Sequence, residues 1–430
     1  MNRAVFWIVI FFGICSVSAQ SRPNATPTPV RVVITDNVKP QPTPNRPATR
    51  PPLVTGDNSR KSSSTQSEDE QSPSPAEVRI TAAPLPANLE VPNLSFRELK
   101  NRIAEAKRSL AGRPVYTVSS TTTAPIEYVR IAFLDRDTDK IDYVTISKAA
   151  FLSVSDETVS ASENGRPVRV RTIRANGVNT PVVIFDERGR THLPLLVQYP
   201  VVRDGKYIET AIYMSTHPGL VTPETVSAGR LYVRNIIEIA REQLADYGIE
   251  IAPRIADIAE RLATVEHVDH YRFRTEPHTK IFDDIFTLYA LNEGQTYRYS
   301  VSSAGAGGMV QMIPSTYRMV RSWHPNIPLI PDFVEGMRNH VNAAKAMLLY
   351  MNRTWSDLIA NPVVSDALAS GIATPEQLMA AGYNSNPARL PGYIKRGGAA
   401  WTDLIPRETK IYLQIYDSIE RNVPMNRRTR

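Results

Sequence analysis

The sequence predicts a multidomain chain: a disordered N-terminal tether, a small antiparallel β sandwich or barrel, and an all-α C-terminal half. Three observations predict it. Residues 20–92 are dominated by Pro, Ser, Thr and Asn. From Val115 apolar residues recur at every second position between turn signals, which is the strand period. From Pro223 onward they recur at three- and four-residue steps, which is the helical one.

The first segment, 1–19, reads as a secretory signal. Arg3 gives a charged start, Val5 to Ile14 the apolar stretch, and Val17-Ser18-Ala19 a small-residue cleavage site before Gln20. The stretch is short for a membrane span, so no stable span is expected after cleavage. Cys15 is the only cysteine and lies inside this segment. The mature chain is therefore expected to hold no disulfide and to rely on its core alone. Residues 20–92 contain Pro27-Thr28-Pro29, Pro40-Gln41-Pro42-Thr43-Pro44 and Ser62-Ser63-Ser64-Thr65. So few apolar residues cannot offset ordering entropy, and a partly extended tether is expected.

Asn93 or Ser95 can cap a helix through about Leu110, ended by Gly112 and Pro114, giving a helical segment 93–114. Candidate strands follow around Ile126 to Phe133, then at Ile141 to Ile146, Val168 to Arg174, Val182 to Phe185, Leu193 to Tyr199 and Tyr207 to Met214. Asn164-Gly165, Asn176-Gly177, Arg188-Gly189 and Asp204-Gly205 separate several of them as turns. This β module, 115–218, shows no catalytic constellation of its own. It suits a wall-binding unit, a platform for an envelope protein partner or a spacer.

The helical half, 223–430, predicts helices at Val226 to Tyr247, Pro253 to Val268, Lys280 to Glu293, Pro314 to Arg321, Phe333 to Met351, Pro375 to Ala381, Leu390 to Lys395 and Arg407 to Arg421. Net charge is +7, with basic residues spread along the chain, so no cluster points to nucleic acid.

One carboxylate stands out. Ile281, Phe282, Ile285, Phe286, Tyr289 and Glu293 share one helical stripe, so Glu293 is expected to continue a buried face. Burial disfavours the charged form of a carboxyl and raises its pKa, which fits a general acid. Asp283 and Asp284 point off that face and read as solvated acids. Downstream, Gly305-Ala306-Gly307-Gly308 leaves the backbone open to a bulky ligand, and Gln311 offers both donor and acceptor. A second polar cluster, Glu266, His267, Asp269, His270 and His278, includes an i, i+3 histidine pair. No HExxH and no partner cysteine accompany it, so ordinary hydrogen-bonded histidines are expected, with no metal and no cofactor.

These residues carry a resemblance. Glu293, Ser302, Gly305, Ala306, Gly308, Gln311, Pro314 and Thr316 stand at the spacing of the first motif of the soluble lytic transglycosylase family. Gly382-Tyr383-Asn384-Ser385-Asn386-Pro387 is similar to its second motif, and Pro406, Glu408, Thr409 and Tyr412 to its third. The three motifs fall in the family's order and cover Lys280 to Arg421. The chain departs from the pattern at Gly294, where the family has Ser, and at Ile313, Gly382 and Ser385-Asn386.

The resemblance implies a lysozyme-like helical domain and cleavage of peptidoglycan glycan strands in the periplasm or outside the cell. It implies Glu293 as acid and then base, with Ser302, Gln311, Tyr383 and Asn384 lining the substrate groove. Glu408 and Tyr412 would hold the fold near the cleft. A hydrolytic muramidase and a peptidoglycan-binding protein without turnover remain as alternatives.

Overall fold

The computed structural model describes residues 77–82, 89–113, 115, 128–203, 206–214, 217–302 and 304–429. The expected signal, most of the tether and the beginning of the β module lie outside these residues.

Two elements open the described chain, strand β1 (Glu77–Thr81) and helix α1 (Phe96–Ala111). The β module follows as β2 (Tyr128–Asp135), β3 (Lys140–Ser147), a short α2 (Lys148–Phe151), β4 (Asp156–Ala161), β5 (Pro167–Thr172), β6 (Val182–Phe185), β7 (Thr191–Arg203) and β8 (Lys206–Tyr213). The strands pair antiparallel in the order β1-β4-β5-β6-β7-β2-β3, with β8 also on β7. This sheet curls into a half-barrel. Its edge β3 turns back toward β4 through a Val144–Ser162 bridge and a 2.8 Å hydrogen bond from Glu163 N–H to the Tyr143 carbonyl.

Strand β7 is shared: its start pairs with β6 and β2, its later half with β8. Pro194 has no N–H for the ladder, and the β2–β7 register shifts there, between Ala132 and Phe133.

The sequence placed 20–92 in a tether, and β1 corrects that. Val78 and Ile80 stay exposed, so no buried alternation announces the strand. Its pairing rests on backbone bonds and on Glu77, whose carboxylate accepts from Ser147 N–H and Oγ, each at 2.7 Å. Strand β4 also went unpredicted.

Helix α1 starts at Ser95, which forms a reciprocal capping box with Glu98. Its Leu99, Ile103, Ala106 and Leu110 pack with Leu134, Leu193, Leu195 and Leu196 of the sheet. Ala290 and Leu291 of the helical half join the same cluster. One apolar core therefore runs from the half-barrel into the helices, and burial of that shared surface holds the two together.

The helical half comprises α3 (Pro223–Ala245), α4 (Pro253–Val265), α5 (His270–Thr275), α6 (His278–Asn292), α7 (Pro314–Trp323), α8 (Phe333–Arg338), α9 (His340–Ile359), α10 (Pro362–Ala369), α11 (Pro375–Asn384), α12 (Leu390–Gly397) and α13 (Arg407–Asn422). The helix expected over Phe333 to Met351 is two helices. The Asn339 side chain accepts the Asn342 N–H and starts α9, which breaks the run. Helices α5 and α10 were not predicted. No described helix is long and apolar enough to cross a membrane.

Helix α4 is buried from Ile255 to Val265, including its charged residues. Those charges are paired. Arg428 reaches Asp257 Oδ1 at 2.7 Å and Glu260 Oε2 at 2.5 Å, and Arg261 pairs with Glu420.

Helices α3 and α6 approach so closely that a Cβ on Gly229 would lie 1.8 Å from the Phe286 carbonyl oxygen. Backbone cannot yield as a side-chain tip can. Gly229→Ala is therefore expected to cost about 3 kcal/mol, read as a lower urea midpoint at unchanged slope.

Candidate functional site

Glu266 is the residue that follows α4. Because that helix is buried from Ile255 to Val265, its end delivers Glu266 to the wall of a cavity rather than onto the open surface. The residue keeps partial exposure and lines a cavity of about 550 Å³, a volume typical of ligand sites. The Tyr412 hydroxyl, on α13, donates to Glu266 Oε1 at 2.6 Å. Burial pushes the Glu266 carboxyl up from its ordinary 4.5 to about 8. The Tyr412 bond pulls the other way, and the negative Glu408 adds to the rise.

The glycine-rich segment is pinned beside this carboxyl. His267 Nε2–H donates to the Met309 carbonyl at 3.0 Å, and the Tyr383 hydroxyl donates to the Val310 carbonyl at 2.7 Å. Burial pushes His267 down to about 3, so the imidazole is neutral and its Nε2 carries the proton. The ring stacks on Tyr297 with centroids 3.3 Å apart.

Bridges from Gly307 to Val301 and to Met312 fold the segment into a tight hairpin. Gly308 is required at its place. It has φ +68°, and a Cβ there would meet the Met337 carbonyl oxygen at 2.2 Å. Tyr297 and Gln311 also hold positive φ, so backbone strain gathers around this hairpin.

The cavity opens between the helices and the half-barrel. Tyr199, Tyr213 and the turn at Asn176 to Asn179 form one side; Glu266, His267, Asp284, Tyr297 and Ser300 contribute to the other. Among the described residues three carboxyls line it: Glu266, Asp269 and Asp284. Asp269 accepts the Tyr271 and Arg272 N–H groups, both at 2.8 Å, as the cap of α5. Asp284 accepts from Arg272 at 2.6 Å. Asp284 was expected to be a solvated acid; its side chain is 15% exposed and burial raises its pKa, which corrects that expectation.

Glu293 needs the larger correction. Helix α6 ends at Asn292, and Glu293 turns out of the stripe at φ 46° and ψ −125°. The side chain is 48% exposed and pairs with Lys100 of α1. The helical spacing stops applying one residue too early for Glu293 to reach the buried face.

Ser302, Gln311, Tyr383 and Asn384 do not line the cavity. Ser302 is exposed, and its Oγ accepts the Ala306 N–H. Gln311 Nε2 donates to the Gly308 carbonyl at 2.8 Å, inside its own loop. Tyr383 positions the hairpin, as above, and Asn384 is half-buried at the end of α11.

Glu266 was legible as a polar residue but not as an acid in a cavity. The signal was present. Ile255, Ile258, Ala259 and Leu262 form an apolar stripe that Glu266 continues, the same pattern that pointed to Glu293. Among the described residues no group of three or more His, Cys, Asp or Glu gathers as a metal site. Comparison with protein-family models, curated proteins and solved structures gives no match for this chain.

A carboxyl still protonated at neutral pH, on the wall of a ligand-sized cavity, can give a proton to an oxygen of a bound molecule. The folded state binds this proton more tightly than the unfolded chain. The corresponding stability is complete below pH 4.5 and is lost as the pH rises through about 8. Glu266→Gln removes this dependence. The variant is expected to melt above wild type at pH 9 and to approach it at pH 5, measured by thermal unfolding at both values.

Proposed function

We propose that the chain is a peptidoglycan lytic transglycosylase whose helical half is lysozyme-like, with Glu266 rather than Glu293 as the acid. The observation that carries the proposal is the Glu266 carboxyl, raised to about 8, held by Tyr412 and lining the cavity beside the glycine-rich hairpin. Tyr412 belongs to the third motif and Tyr383 to the second, and the hairpin to the first. Parts of all three motifs, though not Glu293 of the first, thus gather around Glu266.

In the proposed reaction, Glu266 protonates the oxygen joining N-acetylmuramic acid C1 to N-acetylglucosamine. Positive charge develops at C1 as that bond breaks. Glu266, now a carboxylate, takes the proton from the muramoyl C6 hydroxyl, whose oxygen closes onto C1. The acid is regenerated, no water is consumed, and a 1,6-anhydro end remains.

Most glycosidases need a second carboxylate, as nucleophile or to activate water. Of the other carboxyls lining the cavity, Asp284 is held by Arg272 and Asp269 caps α5. Neither is free for that task, which favours attack by a hydroxyl of the substrate. Tyr412 has two parts in this scheme: it steadies the carboxylate once the proton has left, and it fixes which oxygen faces the sugar.

Mass spectrometry of purified peptidoglycan digested by the protein tests this. Fragments with 1,6-anhydromuramoyl ends are expected. Reducing ends, one water heavier, would make it a muramidase. Glu266→Gln is expected to lower the rate by roughly 10²–10⁴-fold, the usual worth of a positioned acid. Glu293→Gln should stay within about twofold of wild type, as for an exposed pair; the reverse result would return the role to Glu293. Wild-type rate should fall as the pH rises through about 8, where Glu266 loses its proton.

A further inference from the structure

On the glycan-cleaving reading above, we propose that Arg174 of the half-barrel binds a carboxylate carried by the glycan strand, making the β module part of the substrate site. Arg174 lies just beyond β5 and lines the same cavity as Glu266. One ligand can therefore meet both.

The charges around Arg174 are Arg272, Asp269, Asp284 and Glu276. All three acids already have partners. Arg272 holds Glu276 through both carboxylate oxygens, each at 2.8 Å, and Asp284 at 2.6 Å. Asp269 is turned to the α5 backbone. Among the described residues no carboxylate forms an ion pair with Arg174.

The two arginines differ in how their charge is met. Arg272 is neutralised within its own wall, whereas Arg174 is half-buried with its charge uncompensated at close range. Burial accordingly lowers its pKa. A guanidinium in that position presents a fork that matches a carboxylate through two parallel hydrogen bonds. Removal of water from the cavity by a ligand strengthens such a pair.

A glycan strand offers this group from two sources. The lactyl ether of muramic acid ends in a free carboxylate where no stem peptide is attached, and stem peptides carry carboxylates of their own. Oligomers of N-acetylglucosamine alone carry none.

The test uses calorimetric binding in a Glu266→Gln background, where strands are consumed far more slowly. The probes are muramoyl oligosaccharides with free lactyl groups, the same strands bearing stem peptides, and chitin oligosaccharides of equal length. Adding Arg174→Gln is expected to weaken binding of at least one carboxylate-bearing probe by about tenfold and to leave chitin binding unchanged. The probe that suffers the loss identifies the source, and Arg174→Lys should restore part of it. Equal affinities with and without Arg174 would overturn the proposal while leaving glycan cleavage standing.

A second readout separates the two ideas. In protein labelled with ¹⁵N-arginine, titration with D-lactate should move the Arg174 guanidinium resonance. Movement without any glycan binding would keep the carboxylate site and remove the glycan reading. An unmoved resonance would overturn the site itself.

Discussion

From Ile255 to Val265 helix α4 has neighbours on every side, and the rest of the helical half is arranged around that constraint. A helix buried all round cannot leave a charge without a partner, because an isolated ion in a low-dielectric interior is very costly. Asp257 and Glu260 are met by Arg428, and Arg261 by Glu420. Glu266 stands at its end, and among the described residues no cation pairs with it. Its partner is a tyrosine hydroxyl, which stabilises a carboxylate far less than a guanidinium does. The same burial that makes α4 a structural axis therefore keeps this carboxyl protonated near neutral pH.

Much of the fold was legible because its signals are local. The capping box at Ser95, the alternation in β5, the apolar runs of β2 and β6 and the helical stripes of α3, α6 and α13 depend on neighbours in sequence. What escaped depends on distant partners. Strand β1 exposes both of its large apolar side chains and is held by pairing with β4, so nothing in Glu77 to Thr81 reveals it. The break at Asn339 is a capping event inside an otherwise continuous apolar run.

The candidate site was half legible for the same reason. The hairpin, Tyr383 and Tyr412 were found as motifs, but the carboxyl on which they converge was assigned by spacing along the chain. Spacing identifies a stripe, and both α4 and α6 end in a glutamate that extends one. Only the tertiary arrangement separates them, since α6 terminates at Asn292 and its glutamate turns out toward Lys100. The role of the β module was illegible altogether. Its wall of the cavity is built from a turn and strand faces that touch the helices only after folding.

The clasp between Arg428 and α4 has a consequence for the order in which the molecule assembles. Arg428 and Asp257 are 171 positions apart in sequence, and Arg428 and Glu260 are 168 apart. While the chain is being synthesised, α4 can form as a local helix, but its two acids wait for a cation that emerges much later. Contacts of such long range slow folding, because a large loop must close before they are formed. The segment that carries Arg428 is thus the one that neutralises the buried acids of α4, long after that helix itself can form.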